Sequence, residues 1–197
     1  MEVYLTNHLP STDIHSVKLS ESSIEASGLK IIPFSEVSVL PAGASFQTHM
    51  NIAFTSASQT VKLEVVTDRG TYSVSVKPQL GELLRPITLS EADFDSRQKE
   101  LGGMQESSEH LTLPQELASG GTKLVNKVLE LINVGPCVVD VKEGTYKFVG
   151  VAIFDEKPLL ISLRAEGEGG SCLLRVNCED PIFAVTAKNL LKTGLAQ

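Results

Sequence analysis

An antiparallel β-sandwich of the immunoglobulin-like kind, followed by an α+β platform of helices on an antiparallel sheet, is the fold class this sequence predicts. Three observations carry it. Residues 1–86 hold short segments rich in Val, Ser and Thr, with turn formers between them and no helix-period stretch. Residues 87–197 hold strong helical patterns and three longer strands. The stretch Lys77–Met104, KPQLGELLRPITLSEADFDSRQKELGGM, is the joint between the two styles. The expected domains are therefore a sandwich over 1–86 and a platform over 87–197.

In the first half, EVYLTN alternates Val3 and Leu5 with polar neighbours before the turn formers of NHLPSTD. IHSVKLS alternates only approximately, through Ile14, Val17 and Leu19, which predicts a bulge or register break. LSESSIEASG, with an isolated Ile24, reads as a loop or short exposed strand ending at Gly28. LKIIPF and EVSVLPAG are further apolar runs, the second alternating Val37 and Val39. In QTHMNIAFTS, Met50, Ile52 and Phe54 fall on one face of a strand. TVKLEVVTDRGTYSVSVKP is a hairpin: Val61, Leu63 and Val65 lead into Asp68-Arg69-Gly70, and Tyr72, Val74 and Val76 return.

In the second half, Ser90 is a good N-cap, Glu91 and Asp93 suit a first turn, and Gly102-Gly103 stop the helix. Phe94, Gln98 and Leu101 share its face, and so few apolar residues predict a helix lying on a surface. SSEHLTLPQ is a short strand carrying Leu111 and Leu113. GGTKLVNKVLELINVG repeats apolar residues at Leu124, Val128 and Leu131, supported by Val125, Leu129 and Ile132, a wide stripe that needs a sheet to pack on. TYKFVGVAIFD, PLLISLRAE and SCLLRVNCE offer that sheet, the last two joined by a hairpin turn over 167–170. Asp180 as N-cap and Pro181 at the first helical position open a closing helix through Phe183, Ala187, Leu190 and Leu191 to Gly194.

Composition narrows the function classes. The 197 residues carry a net charge of −7, with 6 basic against 8 acidic side chains in 1–86 and 11 against 16 in 87–197. Binding a phosphate backbone requires clustered Lys and Arg, so no nucleic-acid partner is expected. No apolar run approaches the roughly 18 residues of a membrane span, and the N-terminus lacks signal-peptide blocks, which predicts a cytosolic protein. Three cysteines suit neither a disulfide framework nor a zinc site. Cys172 and Cys178, six residues apart on one strand, would have Cα atoms roughly 20 Å apart, too far to bond.

No motif assembles chemistry. His8, His15, His49 and His110 are scattered, with no ligand pair and no adjacent nucleophile. The glycine run before Ser171 lacks the Lys of a phosphate loop. Glu91, Asp93 and Asp95 are explained by helix-start acidity rather than by a metal. Tyr146-Lys147-Phe148-Val149 matches a tyrosine-based sorting pattern, but such patterns act in extended tails and this one lies inside a strand, so it is discounted. No catalytic residue, metal or cofactor is expected, and the chain is read as a non-enzyme.

Three blocks around the joint carry a resemblance. Pro78–Pro86 reads P-x-x-G-E-L-L-x-P, Ser90–Phe94 reads S-E-x-D-F, and Gly103–Ser108 reads G-M-x-E-S-S. Together they resemble the C-terminal appendage (ear) region of the β subunits of adaptor protein complex 3. The segments YLTNHLPSTDIHSVKL and FSEVSVLPAGASFQTHMNIAFTSASQTVKLEVVTDRGTYSVSVKP look like that family's sandwich. KPLLISLRAEGEGGSCLLRVNCEDPIFAVTAKNLL is similar to the closing strands and helix of β-adaptin platforms.

The resemblance implies a non-enzymatic appendage that recruits accessory proteins in vesicle-mediated intracellular transport. Its partners would be the other subunits of a heterotetrameric adaptor complex, and accessory or coat proteins bound through short motifs. Its place would be cytoplasmic and peripheral on Golgi, endosomal or lysosome-directed vesicle membranes, with membrane contact only through the complex. A structural domain that stabilises the subunit without a peptide ligand is the alternative. Related platforms dock peptides at a pocket containing Trp; here there is no Trp and Leu89 stands at that position. The expected partner-binding residues are therefore Leu89, Phe94, Tyr146 and Phe148. The resemblance also implies a sandwich lacking its first strand and a chain that is a piece of a longer subunit.

Overall fold

Residues 1–56, 59–166 and 170–196 are described by a computed structural model. Two units separate in it, Met1–Pro78 and Gln79–Gln197. The first holds β1 (Glu2–Thr6), β2 (Ile14–Leu19), α1 (Glu21–Ser27), β3 (Ile31–Ile32), β4 (Val37–Leu40), β5 (Ser45–His49), β6 (Asn51–Ile52), β7 (Val61–Thr67) and β8 (Gly70–Val76). One sheet runs β4-β2-β7-β8, while β1 pairs with β5 and β3 with β6, all antiparallel. Leu19, Phe34, Met50, Val61 and Leu63 are buried together, with Leu5, Ile31, Ile52 and Phe54 packed against them.

Three expectations are revised in this unit. Residues 21–27 form a helix and not a loop or strand: the chain leaves Ser20 extended, and Gly28 closes the helix in the left-handed region at φ 67°. Ile24 packs on the core, and the Ser23 hydroxyl accepts from the Glu64 N–H at 3.1 Å, so tertiary contacts stabilise a segment of weak propensity. QTHMNIAFTS is split at Met50 into β5 and β6, although Met50, Ile52 and Phe54 do point to the core. In β4, Val37 and Leu40 are buried and Val39 is 45% exposed. The cause is the irregularity predicted in β2, where Ser16 adopts φ 53° and the Ser16–Ser38 pair is missing from the ladder. Ile14 and Val17 consequently share a face, as do Leu40 and Val37 opposite them.

The second unit holds β9 (Leu84–Pro86), α2 (Glu91–Glu100), β10 (Glu106–Thr112), α3 (Gln115–Ala118), α4 (Gly121–Leu131), β11 (Gly135–Asp140), β12 (Thr145–Ala152), β13 (Pro158–Ala165), β14 (Ser171–Cys178) and α5 (Pro181–Leu195). Its antiparallel sheet runs β10-β14-β13-β12-β11, with β9 also paired to β12. The second unit begins at Gln79, eight residues before the expected start of the platform at 87. Leu80, Leu83 and Leu84 are buried, and Leu84–Pro86 pairs with Gly150–Ala152, which ties the hydrophobic half of the joint to the platform.

β9, β11 and α3 are additions to the expected elements. Each is three to six residues long, too short to show a period. The turn expected over 167–170 lies largely outside the described residues. Asp180 caps α5 as expected, its side chain accepting from the Ile182 and Phe183 N–H groups. In α4, Leu124 and Val128 are buried whereas Leu129 is 38% exposed, so the buried stripe is narrower than the sequence suggests.

Candidate functional site

The side chains of the platform sheet alternate between two faces. On one face Tyr146 and Phe148 stand beside Leu163 and Ile161, and these beside Leu174 and Val176. α5 packs over β14 and β10 on this side, with Phe183, Ala187, Leu191 and Leu195 buried. Glu109 of β10 accepts from Lys188 at 3.1 Å and from Lys192, two ties that hold α5 in place.

The opposite face is read off the ladder as three rows. Val149, Leu160, Asn177 and Glu106 form the first, Lys147, Ser162, Arg175 and Ser108 the second, and Thr145, Arg164, Leu173 and His110 the third. α2 lies on the first row. Its start is set by Ser90, whose hydroxyl accepts from the Asp93 N–H at 3.1 Å and donates to the Asp93 carboxylate at 2.6 Å. One turn on, Phe94 is fully buried with Leu101, Val149 and Leu160. The Gln98 amide donates to Ser162 and to Asn177, and buried Asn177 donates to the Leu101 carbonyl at 2.7 Å. The expected face of Phe94, Gln98 and Leu101 thus lies on the sheet.

Lys147 fastens the same helix. Its ammonium donates to Glu91 at 2.9 Å and Asp95 at 2.7 Å and stands 5.7 Å from the Phe94 ring centre, with only 11% of the side chain exposed. Burial pulls its pKa down, but the hydrogen bonds it donates to Asp95 and Glu91, with the attraction of the two carboxylates, outweigh that and leave it raised. Helix-start acidity is therefore not the whole role of Glu91 and Asp95; four residues apart, they share a face and converge on one lysine.

Beyond α2 the second and third rows stay open. A polar hollow of about 290 Å³ is lined there by Asp95, Gln98, Glu143, Thr145, Lys147, Ser162, Leu163, Arg164, Leu173 and Arg175. Arg164 is exposed. Arg175 Nε lies 3.1 Å from a Glu106 carboxylate oxygen, off its hydrogen-bonding direction. Half-buried Leu173 pairs across the ladder with Arg164 on one side and exposed His110 on the other, two residues before Arg175 on the same strand. Such a surface can take a peptide by charge-assisted bonds around a small apolar centre.

Of the four residues expected to bind a partner, the structure leaves surface only to Leu89, which is half-buried and packs on the Phe94 cluster. Phe94 and Phe148 are fully buried and Tyr146 is 3% exposed, its hydroxyl accepting from the Gly121 N–H at 2.7 Å. Phe94 and Leu89 belong to the α2 face, Tyr146 and Phe148 to the opposite one, so the four do not converge. Arg164, Leu173 and Arg175 are not among the residues the sequence singles out. The signal of the two arginines is present in it, as single charged residues in the mostly apolar strands LLISLRA and CLLRVNC.

Among the described residues no group of three or more His, Cys, Asp or Glu is placed to hold a metal ion. Cys172 and Cys178 are buried free thiols whose pKa is pushed up to about 11 by burial. Cys137 is half-buried and also raised by burial. Among the described residues no helix is long and apolar enough to cross a membrane.

Comparison with known proteins gives a consistent match. The family described as AP-3 complex subunit beta-1, C-terminal domain, matches residues 81–195. AP-3 complex subunit beta-2 of Mus musculus is 32% identical over 185 residues, 93% of this chain and 16% of the relative. AP-3 complex subunit beta-1 of Homo sapiens is 26% identical over 192 residues, 97% of this chain and 17% of the relative. AP3-complex subunit beta-A of Arabidopsis thaliana is 24% identical over 191 residues, 85% of this chain and 19% of the relative. The chain thus spans about a sixth of the length of the mouse and human relatives. The matched residues contain the platform's strands, helices and open face, and the chain belongs to the family of C-terminal domains of AP-3 β subunits.

Proposed function

We propose that this chain is a non-enzymatic appendage of an adaptor-complex β subunit, serving vesicle-mediated protein transport by binding accessory or coat proteins. It works with the other subunits of the complex and reaches Golgi or endosomal membranes only through them. The observation that carries the reading is a family match over the platform whose sheet face, beside α2, is left open with Arg164, Leu173 and Arg175 on it. This moves the partner surface from Leu89, Phe94, Tyr146 and Phe148 to the open rows. An arginine pair around a leucine favours a short segment with carboxylates flanking an apolar side chain.

The test replaces the subunit in cells by a version carrying Arg164→Glu and Arg175→Glu. Cargo sorting is expected to fall while the complex still assembles. Unchanged sorting, both in this variant and after deletion of the whole region, would refute the proposal. A second reading, a domain that only stabilises its subunit, is favoured by the burial of Phe94, Tyr146 and Phe148. It predicts that the double variant sorts normally and that deletion lowers the level of the assembled complex. Leu89→Asp adds a check on the isolated chain. Because Leu89 packs on the Phe94 cluster, this variant is expected to lower stability by about 1–3 kcal/mol in urea unfolding.

A further inference from the structure

β8 presents a strand edge at the end of the first unit's four-stranded sheet. β8 ends the β4-β2-β7-β8 sheet and, among the described residues, pairs only with β7, through Thr67↔Gly70, Val65↔Tyr72, Leu63↔Val74 and Val61↔Val76. Thr67 and Gly70 close the two-residue hairpin loop, so Tyr72, Val74 and Val76 turn their backbone groups toward β7. The N–H and C=O groups of Thr71, Ser73 and Ser75 then point outward. On the core side the buried row Val61 and Leu63 continues onto Val76, Val74 and Tyr72, of which Val74 is 36% and Tyr72 52% exposed. The strand carries no proline, inward charge or bulge, the usual devices that protect a sheet edge.

We propose that this edge pairs antiparallel with β8 of a second copy of the chain, about a two-fold axis through Val74. The sequence around that residue is self-complementary. Val74 meets Val74, Tyr72 meets Val76, Ser73 meets Ser75 and Thr71 meets Lys77. The outward-pointing groups of Ser73 face those of Ser75, so the hydrogen-bonded positions coincide, while Val74 and Tyr72 fall at the close, non-bonded positions that favour apolar contact. A shift of the axis to Ser73 would set Arg69 opposite Lys77, a like-charge pair that disfavours it. Pro78 falls at a non-bonded position, where its missing N–H costs nothing. The joined sheet has eight strands and sets exposed Tyr72 and Val74 and half-buried Val76 of each copy beside those of the other.

A contact of one strand edge is small beside the roughly 1,200 Å² of a standard interface, so the dimer is weak, with a Kd on the order of 100 μM. Sedimentation velocity of the 197-residue chain over a concentration series up to about 300 μM tests it. The wild type is expected to shift from monomer to dimer mass. Val74→Lys is expected to weaken dimerisation at least about tenfold by placing two ammonium groups on the axis, and mixing it with Val74→Glu is expected to restore it. Ser73→Pro, which removes an outward N–H and leaves the ladder to β7 intact, gives the same loss by an independent route. A wild type that stays monomeric throughout overturns the proposal, as does a dimer that survives both Val74→Lys and Ser73→Pro. Arg164→Glu and Arg175→Glu are expected to leave the dimer unchanged, which separates this surface from the platform face.

Discussion

Lys147 shows how one residue can decide what a neighbouring element does. Its side chain is nearly buried, whereas Glu91 and Asp95 are 60% and 45% exposed, so the desolvated partner is the lysine. Removing the acids should therefore cost more than removing the base. Glu91→Gln with Asp95→Asn is expected to destabilise by about 2 kcal/mol, and Lys147→Met, which keeps the packing, by about 1 kcal/mol or less. A double-mutant cycle in urea checks the order. The pH dependence has a fixed sign. A lysine pKa raised on folding contributes stability that is complete below the ordinary value of 10.5 and disappears as pH rises through the folded value. Glu109 acts at the other end. Hydrogen bonds from Lys192 and then Lys188 lower its pKa, so its contribution is present above the ordinary 4.5 and is lost on acidification through the lowered value. In the sequence Lys147 is visible only as the middle of a sorting-like tetrapeptide. Its partners lie 52 and 56 residues away, and no local pattern announces a contact made across a sheet.

α2 is the element on which the platform's open face depends. It has one fully buried side chain, so it is held by a cap, one aromatic and polar ties rather than by a broad apolar stripe. Ser90→Ala is expected to cost about 1 kcal/mol through the lost cap. Phe94→Ala is expected to cost about 3–5 kcal/mol and to expose Val149 and Leu160. Hydrogen exchange at 91–101 should rise in both variants and rise further in Phe94→Ala; equal protection in the two would contradict these roles. The start of this helix is legible to within a residue, because N-capping is local chemistry written in Ser90, Glu91 and Asp93. α1 is not legible, since a seven-residue segment with three serines holds as a helix only when Ile24 and Ser23 find partners on the core and β7. The hairpin of β7 and β8 is legible as a hairpin with the expected alternation, although Gly70, expected in the turn, is the first residue of β8.

At the scale of the molecule, the start of the second unit at Gln79 has a direct consequence. A fragment that begins at Gln79 retains Leu80, Leu83, Leu84 and the β9–β12 ladder, whereas one that begins at Ile87 leaves the Gly150–Ala152 edge unpaired. The longer fragment is expected to unfold cooperatively and at least about 5 °C above the shorter one in a thermal melt; equal midpoints would return the boundary to residue 86. By itself the sequence determined the class of the fold, the N-caps of α2 and α5, the turn of the β7–β8 hairpin, the alternation of the long strands and the family. All of these depend on residues close together in the chain or on the chain's own pattern. Only the tertiary structure decided which aromatic residues are core and which face of the platform sheet stays open. Burial depends on what lies opposite in space: Phe94 and Phe148 read equally well as anchors for a partner or for the protein itself until α2 and α5 are laid on the two faces of one sheet.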